Sequence, residues 1–458
     1  GPEVLPDHWQ AHIVQRSQAL PTRGAVPRGK TMSMSAKMRS SLAGAASFLF
    51  LAGVASAQDV TYAEHVAPIL MENCVTCHRP GEVAPMSLLT YEDARRYARQ
   101  IGVQVSERRM PPWHAAPDLR DYTNDRSLDD AEIDVIEQWV ATGAKRGADA
   151  LAPPIPTFND SWQLGEPDLV LSWDSPYQVA AEGDDEYRCF VLDPKLESDQ
   201  WVDVVEVIPG NRTVDHHIVI YIDQGGTIAT RRDEAEPGEG YTCFGGPGFQ
   251  AYMVPGWGPG YVAAETPAGS GYLLEAGAKI VVQMHYHKNG TAQEDLTRVG
   301  LRYARQPPQR VLYNAYALGA MGFGLRIPAG ESNHVVTGQY PISEDITIHS
   351  LVAHMHYLGK AMDIWATLPD GTRVDLVTVP RFDFYWQTEY GLAEPQRLPA
   401  GSVVHMEATF DNSPESPYQH SNPPREVTFG EATTDEMAVA VFFHTRDAEN
   451  LSGGSPSR

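Results

Sequence analysis

From about residue 160 onward the 458-residue chain carries no convincing amphipathic helix. Short β-branched and aromatic runs follow one another instead: WVDVVEVI, HHIVIYI, AKIVVQMHYH, ITIHSLVAHMHYL, SVVHMEATF and EMAVAVFF, separated by Gly, Pro, Asn and Asp. Short strands with that punctuation predict β-sandwiches or jelly rolls rather than a parallel α/β sheet. About 300 residues is too many for one sandwich. The expectation is therefore two all-β jelly-roll domains, over 161–308 and 309–447, split near RQPPQ, with 448–458 as a disordered tail.

The first part of the chain reads differently. Residues 74–78, CVTCH, match the pattern for covalent attachment of a c-type haem. Cys74 and Cys77 would form the thioethers, and His78 would ligate the iron. A zinc or thioredoxin-like C-x-x-C is the alternative, but the next cysteine is as far away as Cys189 and the flanks read as helical rather than βαβ. YAEHVAPILMENC precedes the motif, YEDARRYARQIGVQVSE follows it, and LDDAEIDVIEQWVATG comes third, with Ile133, Ile136 and Val140 on one stripe. Helix, CxxCH, helix, helix resembles a class I cytochrome c, which implies a small all-α domain over 58–147 with one covalently bound haem c. The resemblance implies a downstream methionine as second axial ligand. Met110, followed by two prolines in RRMPPW, is preferred over Met86. ADALAPPIPTFND, within 148–160, reads as a proline-rich linker.

Residues 34–57 carry Lys37 and Arg39, a short apolar run and Ala55-Ser56-Ala57, the layout of a secretory signal cleaved before Gln58. A single membrane anchor is the alternative, disfavoured because the apolar run is short. Residues 1–33 show no folding logic and are read as disordered upstream residues. No later stretch is long and apolar enough to span a bilayer. The formal net charge of −24 becomes more negative without this leader and argues against nucleic acid and anionic lipid as partners. A periplasmic or secreted protein is expected. In such a compartment Cys189 and Cys243 are candidates for a disulfide, two free buried thiols being the alternative.

Histidines mark the β region. His216 and His217 stand side by side before IVIYI, where strand alternation alone would send them to opposite faces. His285 follows in VVQMHYH. His354 and His356 form an H-x-H on one face of a strand in an otherwise apolar segment, so a shared metal is the economical partner. No cysteine lies near them, which excludes a His₂Cys blue-copper site, and imidazole with a thioether such as Met437 selects copper.

In order and spacing, HHIVIY, QMHYH, HMHYLGK and TTDEM resemble the copper type II, ascorbate-dependent monooxygenases, the family of peptidylglycine α-hydroxylating and dopamine β-monooxygenase. The resemblance covers about residues 160–445. It implies two successive jelly rolls and two copper ions. His216, His217 and His285 would hold the electron-transfer copper; His354, His356 and Met437 would hold the copper at which dioxygen reacts. Adjacent histidines can share one ion if their strand is twisted or bulged and they coordinate through different ring nitrogens, one Nδ1 and one Nε2. Gln283 is a supporting polar residue near His285. His287 is expected to be exposed, and His349, His405, His420 and His444 to be ordinary histidines.

The chain departs from that family where peptide-processing members use an arginine and two polar residues to hold substrate. Val352, Val439 and Val441 occupy those positions. The expectation is an exported monooxygenase that hydroxylates a C–H bond of a small hydrophobic molecule with O2. Its electrons would come from an external donor, a periplasmic redox protein or a small reductant, through its own haem. The alternative is a copper and haem electron-transfer or copper-binding protein without oxygenase activity.

Overall fold

A computed structural model describes residues 59–451 apart from 83, 118, 159–160, 244–245, 259–260, 320–323 and 431. The expected leader, 34–57, and upstream residues 1–33 lie outside the described residues. The chain divides into two compact units, 1–60 and 61–458. No described helix is long and apolar enough to cross a membrane.

The larger unit is built on four main sheets. One has five strands in the order Tyr241–Thr242, Glu186–Leu192, Lys279–Tyr286, Asp215–Asp223 and Tyr252–Trp257. It packs on a second five-stranded sheet ordered Leu169–Leu171, Arg298–Tyr303, Gln200–Ile208, Ser270–Leu274 and Arg310–Val311. Alternate residues of both, among them Ile218, Ile220, Ile222, Phe190, Val282, Val205, Tyr272 and Val299, make one apolar core. This is the first β-sandwich.

The second sandwich pairs two four-stranded sheets. The strands Tyr313–Leu318, Ala438–Arg446, Ile346–Met355 and Glu389–Leu398 form one; His334–Pro341, Val403–Phe410, Gly359–Thr367 and Arg373–Val379 form the other. Leu351, Ala353 and Met355 enter its core with Ala440, Phe442, Ile364 and Met406. Their strand neighbours point the other way. Val441 and Phe443 join the core of the first sandwich, and Val352, Val439 and Tyr316 pack against it. The two sandwiches thus bury a shared apolar contact. The three valines expected to line a substrate pocket sit on it, Val441 buried and the other two half-buried.

The expected all-α cytochrome domain is not there. Strand makes up 36% and helix 13% of the described structure, and Trp113, Ala115 and Tyr122, from the stretch between the expected second and third helices, belong to the core of a β-sandwich. A π-helical turn, Tyr62–Val66, leads into a helix at Ala67–Asn73. The expected second helix breaks at Tyr97 into Tyr91–Arg96 and Ala98–Ser106. The third, Asp130–Ala141, starts on a capping box between Asp129 and Glu132 and buries Ile136 and Trp139. Between these helices residues 109–117 and 119–127 run as a strap over the second sandwich. Ala116 N–H donates to Thr378 O at 2.8 Å, Thr123 N–H to Gly391 O at 2.8 Å, and Tyr122 O–H to Leu376 O at 3.1 Å. Trp113, Ala115 and Tyr122 belong to the second sandwich's own core, with the rings of Trp113 and Tyr122 packed on Tyr390. Three buried apolar residues between the helices are thus committed to the β-sheet, while Leu70, Ile101, Ile136 and Trp139 are buried on the helices themselves.

Trp113→Ala should therefore destabilise the second sandwich by about 3–5 kcal/mol, read as a lowered urea midpoint of the sheet signal. A helical module independent of the sandwich would leave that midpoint unmoved.

Candidate metal centre

The pairing of Asp215–Asp223 with Lys279–Tyr286 slips by one residue: Asp215 faces Tyr286 and His217 faces His285, so His216 is the extra residue of a β-bulge. Below it Ile218, Ile220 and Ile222 enter the core while His217 and His285 stand on the opposite face. The bulge lets two consecutive histidines serve that one face. His216 Nδ1 lies 3.1 Å from His217 Nδ1, and His285 Nδ1 lies 3.3 Å from the same atom. One ligand atom from each falls within 4.8 Å of the others. The adjacent pair thus turn the same nitrogen inward, where one Nδ1 and one Nε2 were expected.

Asp185 fixes His285. Its carboxylate is 2.8 Å from His285 Nε2 and 2.9 Å from His287 Nδ1. A carboxylate only accepts, so His285 carries its proton on Nε2 and its Nδ1 lone pair faces the cluster. Burial pushes the Asp185 carboxyl up, yet the bonds from His285 and His287 outweigh it and hold it well below the usual carboxylate range. Two charge-assisted hydrogen bonds at about 1.5–3 kcal/mol each are enough to reverse partial desolvation. His287, expected to be exposed, is half-buried at the rim, raised by its bond to Asp185. Gln283 sits on the same face as His285, beside the Cys189–Cys243 disulfide. That bridge ties a sequence separation of 54, worth about 4 kcal/mol by loop-closure entropy.

His354 and His356 have ring centroids 5.1 Å apart at 84°. His354 Nδ1–H donates to Gln387 Oε1 at 2.7 Å, the amide being oriented by Gln387 Nε2 donating to Phe384 O. His356 Nδ1–H donates to Asp435 O at 3.2 Å. With Nδ1 so engaged, Nε2 is the nitrogen each ring would offer an ion, and the backbone of Ala432 also bonds His356. The strand pairs His354 with Val439 and Met355 with Ala438, where the ladder ends; His356 and the buried Met437 are the next residues along each chain. Glu436 braces the same corner: its carboxylate accepts from the backbone N–H of His356 at 2.9 Å, of Met437 at 3.3 Å and of Leu358. Burial still wins and pushes Glu436 up to about 8.

Burial, and then the neighbouring imidazoles, keeps these rings neutral. His216 and His356 are lowered to about 3, and His217 falls well below its ordinary value. The charges of His354 and His356 contribute to the lowering of His217, so the two sets share one electrostatic neighbourhood. Phe384 joins them physically, stacked on His216 at 6.0 Å and edge-on to His356 at 6.2 Å. Neutral imidazoles with aimed lone pairs are a donor set for a transition-metal ion.

At the CVTCH turn Cys77 N–H and His78 N–H both donate to Cys74 O, at 3.2 and 2.9 Å, and neither thiol is in a disulfide. Burial pushes Cys74 up to about 12. His78 Nδ1–H donates to Met86 O at 3.2 Å, which leaves Nε2 free. Met110 is half-buried in a turn strapped to the second sandwich by Arg381, which donates to the carbonyls of Glu107 and Arg108. Of the remaining histidines, His349 bonds Thr445 Oγ1 at 3.0 Å, His405 stacks on Trp365, His444 is buried and His420 exposed. The reading from sequence missed Asp185, Gln387, Phe384 and the role of Glu436. Only Glu436, an acid beside Met437 ahead of an apolar run, left a signal.

No family model matches the chain, and no curated protein does. Among solved structures, the major capsid protein P2 of bacteriophage PM2 is similar at 11% identity and a TM-score of 0.24, covering 61% of this chain and 97% of that one. Allantoicase is similar at 10% identity and a TM-score of 0.16, covering 59% and 83%. The tandem CBM22 domains of Paenibacillus barcinonensis Xyn10C give 12% and 0.14, covering 61% and 98%. Likeness this weak carries no argument about function.

Two outcomes follow. Asp185→Asn should weaken metal binding at the three-histidine set about 10–100-fold, measured by competition with a chelator. The depressed histidines also set a pH dependence. Because their folded pKa lies below the unfolded value, the unfolded chain binds more protons between about pH 6.5 and pH 3. The metal-free protein should lose stability as pH falls through that window, and His216→Phe should flatten the loss in urea titrations at pH 7 and pH 5.

Proposed function

We propose that this protein is an exported, copper-dependent monooxygenase that inserts one atom of O2 into a C–H bond of a small, hydrophobic substrate, the other atom leaving as water. The observation that carries the reading is the pair of histidine sets: three converging imidazole nitrogens on the first sandwich, and on the second the rings of His354 and His356, 5.1 Å apart, with the backbone of His356 and Met437 held on one Glu436 carboxylate. Copper at these sets would supply one-electron transfer and the activation of dioxygen. The chain's own residues do the positioning. Asp185 and Gln387 hold the tautomers of His285 and His354; Glu436 holds the backbone of His356 and Met437. Val352, two residues before His354, and Val439, directly opposite it, give apolar surface beside that ring where the two sandwiches meet.

Electron entry belongs to the same reading, through a haem attached to Cys74 and Cys77 with His78 as ligand, and with Met110 as its proposed partner. Two free thiols and an imidazole with an open Nε2 on one turn suit that group. Arg212, four residues before His216, pairs with Glu82 at 3.1 Å and also acts on Cys77, so the turn borders the three-histidine strand.

Elemental analysis of the copper-loaded protein should find two copper per chain, and haem staining should survive denaturing electrophoresis. Met437→Ala should abolish oxygen consumption and keep the first copper; His216→Ala should empty the first site. One copper in the wild type, or zinc in both sets, overturns the reading.

A further inference from the structure

Beyond the ligands, the two sets open onto a run of aromatic rings that the positioning roles do not use. Phe384, in contact with both sets, lies 4.7 Å from the ring of Tyr357 and 5.4 Å from that of Tyr385. Tyr385 is also 5.8 Å from His216. Tyr418 comes next, 5.9 Å from Tyr385 and stacked on Tyr357 at 6.2 Å and 13°. The exposed His420 ends the run, 6.4 Å from Tyr357. Every step is a ring contact, and the three phenols span the distance from buried imidazole to surface.

One of these phenols is equipped for reversible oxidation. A phenol that loses an electron becomes a strong acid, so the step proceeds cleanly only with a base within hydrogen-bond reach. Tyr418 O–H donates to Asp383 Oδ1 at 2.9 Å. Asp383 also lies next to Phe384 in sequence and reaches the electrostatic surroundings of His114 on the strap. Packing alone explains rings that fill space. It does not explain a phenol aimed at a carboxylate at the end of a ring path that starts on two metal-ligand sets.

We propose that Tyr418, with Asp383 as proton acceptor, supplies an electron to the histidine sets through Tyr385 and Tyr357 when dioxygen reacts with no substrate in place. The inference rests on the copper reading above. In each event the Tyr418 O–H bond breaks, its proton passes to the Asp383 carboxylate, one electron enters the site and a neutral phenoxyl radical remains. Dioxygen is the oxidant and ends as two waters: one electron would come from each of two Cu(I) ions, one from the reduced haem of the same reading and one from Tyr418, with the protons drawn from solvent and from the protonated Asp383. The path spares the ligands His216, His356 and Met437 from oxidation.

The test has two arms. Reduced, copper-loaded protein is mixed with dioxygen without substrate and frozen for electron paramagnetic resonance. A tyrosyl signal is expected in the wild type, lost in Tyr418→Phe, diminished in Asp383→Asn and kept in Tyr340→Phe, which alters a phenol outside the path. In the second arm the metal-free protein is oxidised by a flashed ruthenium sensitiser with persulfate. The first radical should again form at Tyr418 and be lost in Tyr418→Phe. Protein that binds two copper and consumes dioxygen with the signal unchanged in Tyr418→Phe, or with oxidised Met437 and intact tyrosines by peptide mass spectrometry, overturns the relay. Protein that binds no copper overturns the functional reading instead, and the photochemical arm then decides the phenol–carboxylate pair alone.

Discussion

A one-residue bulge in the strand Asp215–Asp223 is the constraint on which the site depends. Without the extra residue, strict alternation would turn either His216 or His217 into the apolar core, where a neutral imidazole would need a partner that Ile218 and Ile220 cannot give. The bulge is held from the polar side. Asn211 N–H donates to Asp215 Oδ2 at 2.9 Å, and His287 N–H donates to Val214 O at 2.8 Å, so the chain entering the slip is anchored. Asp215 is itself buried beside Asp295, and burial followed by that neighbour pushes it up to about 9. A protonated acid can share a hydrogen bond with its twin where two carboxylates would repel. The polar cost of the bulge is thus met locally, and the histidine pair is delivered to one face.

Carboxylates then aim what the bulge presents, and they do so in two ways. Asp185 stays ionised because two imidazoles bond it, and it acts by fixing a tautomer. Glu436 is taken so far from water that three backbone N–H donors do not restore its ordinary pKa, and it acts by clamping chain geometry around His356 and Met437. An isolated buried charge costs several kcal/mol, against about 1 kcal/mol of net gain per ordinary hydrogen bond. That balance accounts for the opposite fates of the two acids.

How much of this was legible in the sequence varies with the range of the interaction. The β character after residue 160 could be read because alternation and turn residues are local, and the adjacency of His216 and His217 raised the question that the bulge answers. Asp185 and Gln387 could not be found that way: each meets its histidine across strands, 100 and 33 residues away, and neither has a local pattern. The expected cytochrome domain failed for a related reason. Helix periodicity reports an apolar stripe but not its partner. Ile136 and Trp139 stay among the helices, whereas Trp113 and Tyr122, in a segment without periodicity, are committed to the sheet. The stretch 91–107 read as one helix because its charges and apolar residues keep step through Tyr97, where the backbone breaks.

That misreading points to how the parts are coupled. The segment 381–387 receives the strap through Arg381, touches both histidine sets through Phe384 and orients His354 through Gln387. A helical module on a free tether could meet the sandwiches in many poses, and its effect on them would average out. Here the CVTCH turn is fixed by Glu82 to Arg212, four residues from the bulge, while the strap is fixed by Trp113 and Tyr122 to the second core. The helical segment therefore holds the two sandwiches at two separate places. Neither histidine set can shift against the other without disturbing a contact that the strap or the turn provides, so the geometry between the sets is a property of the whole unit rather than of either sandwich.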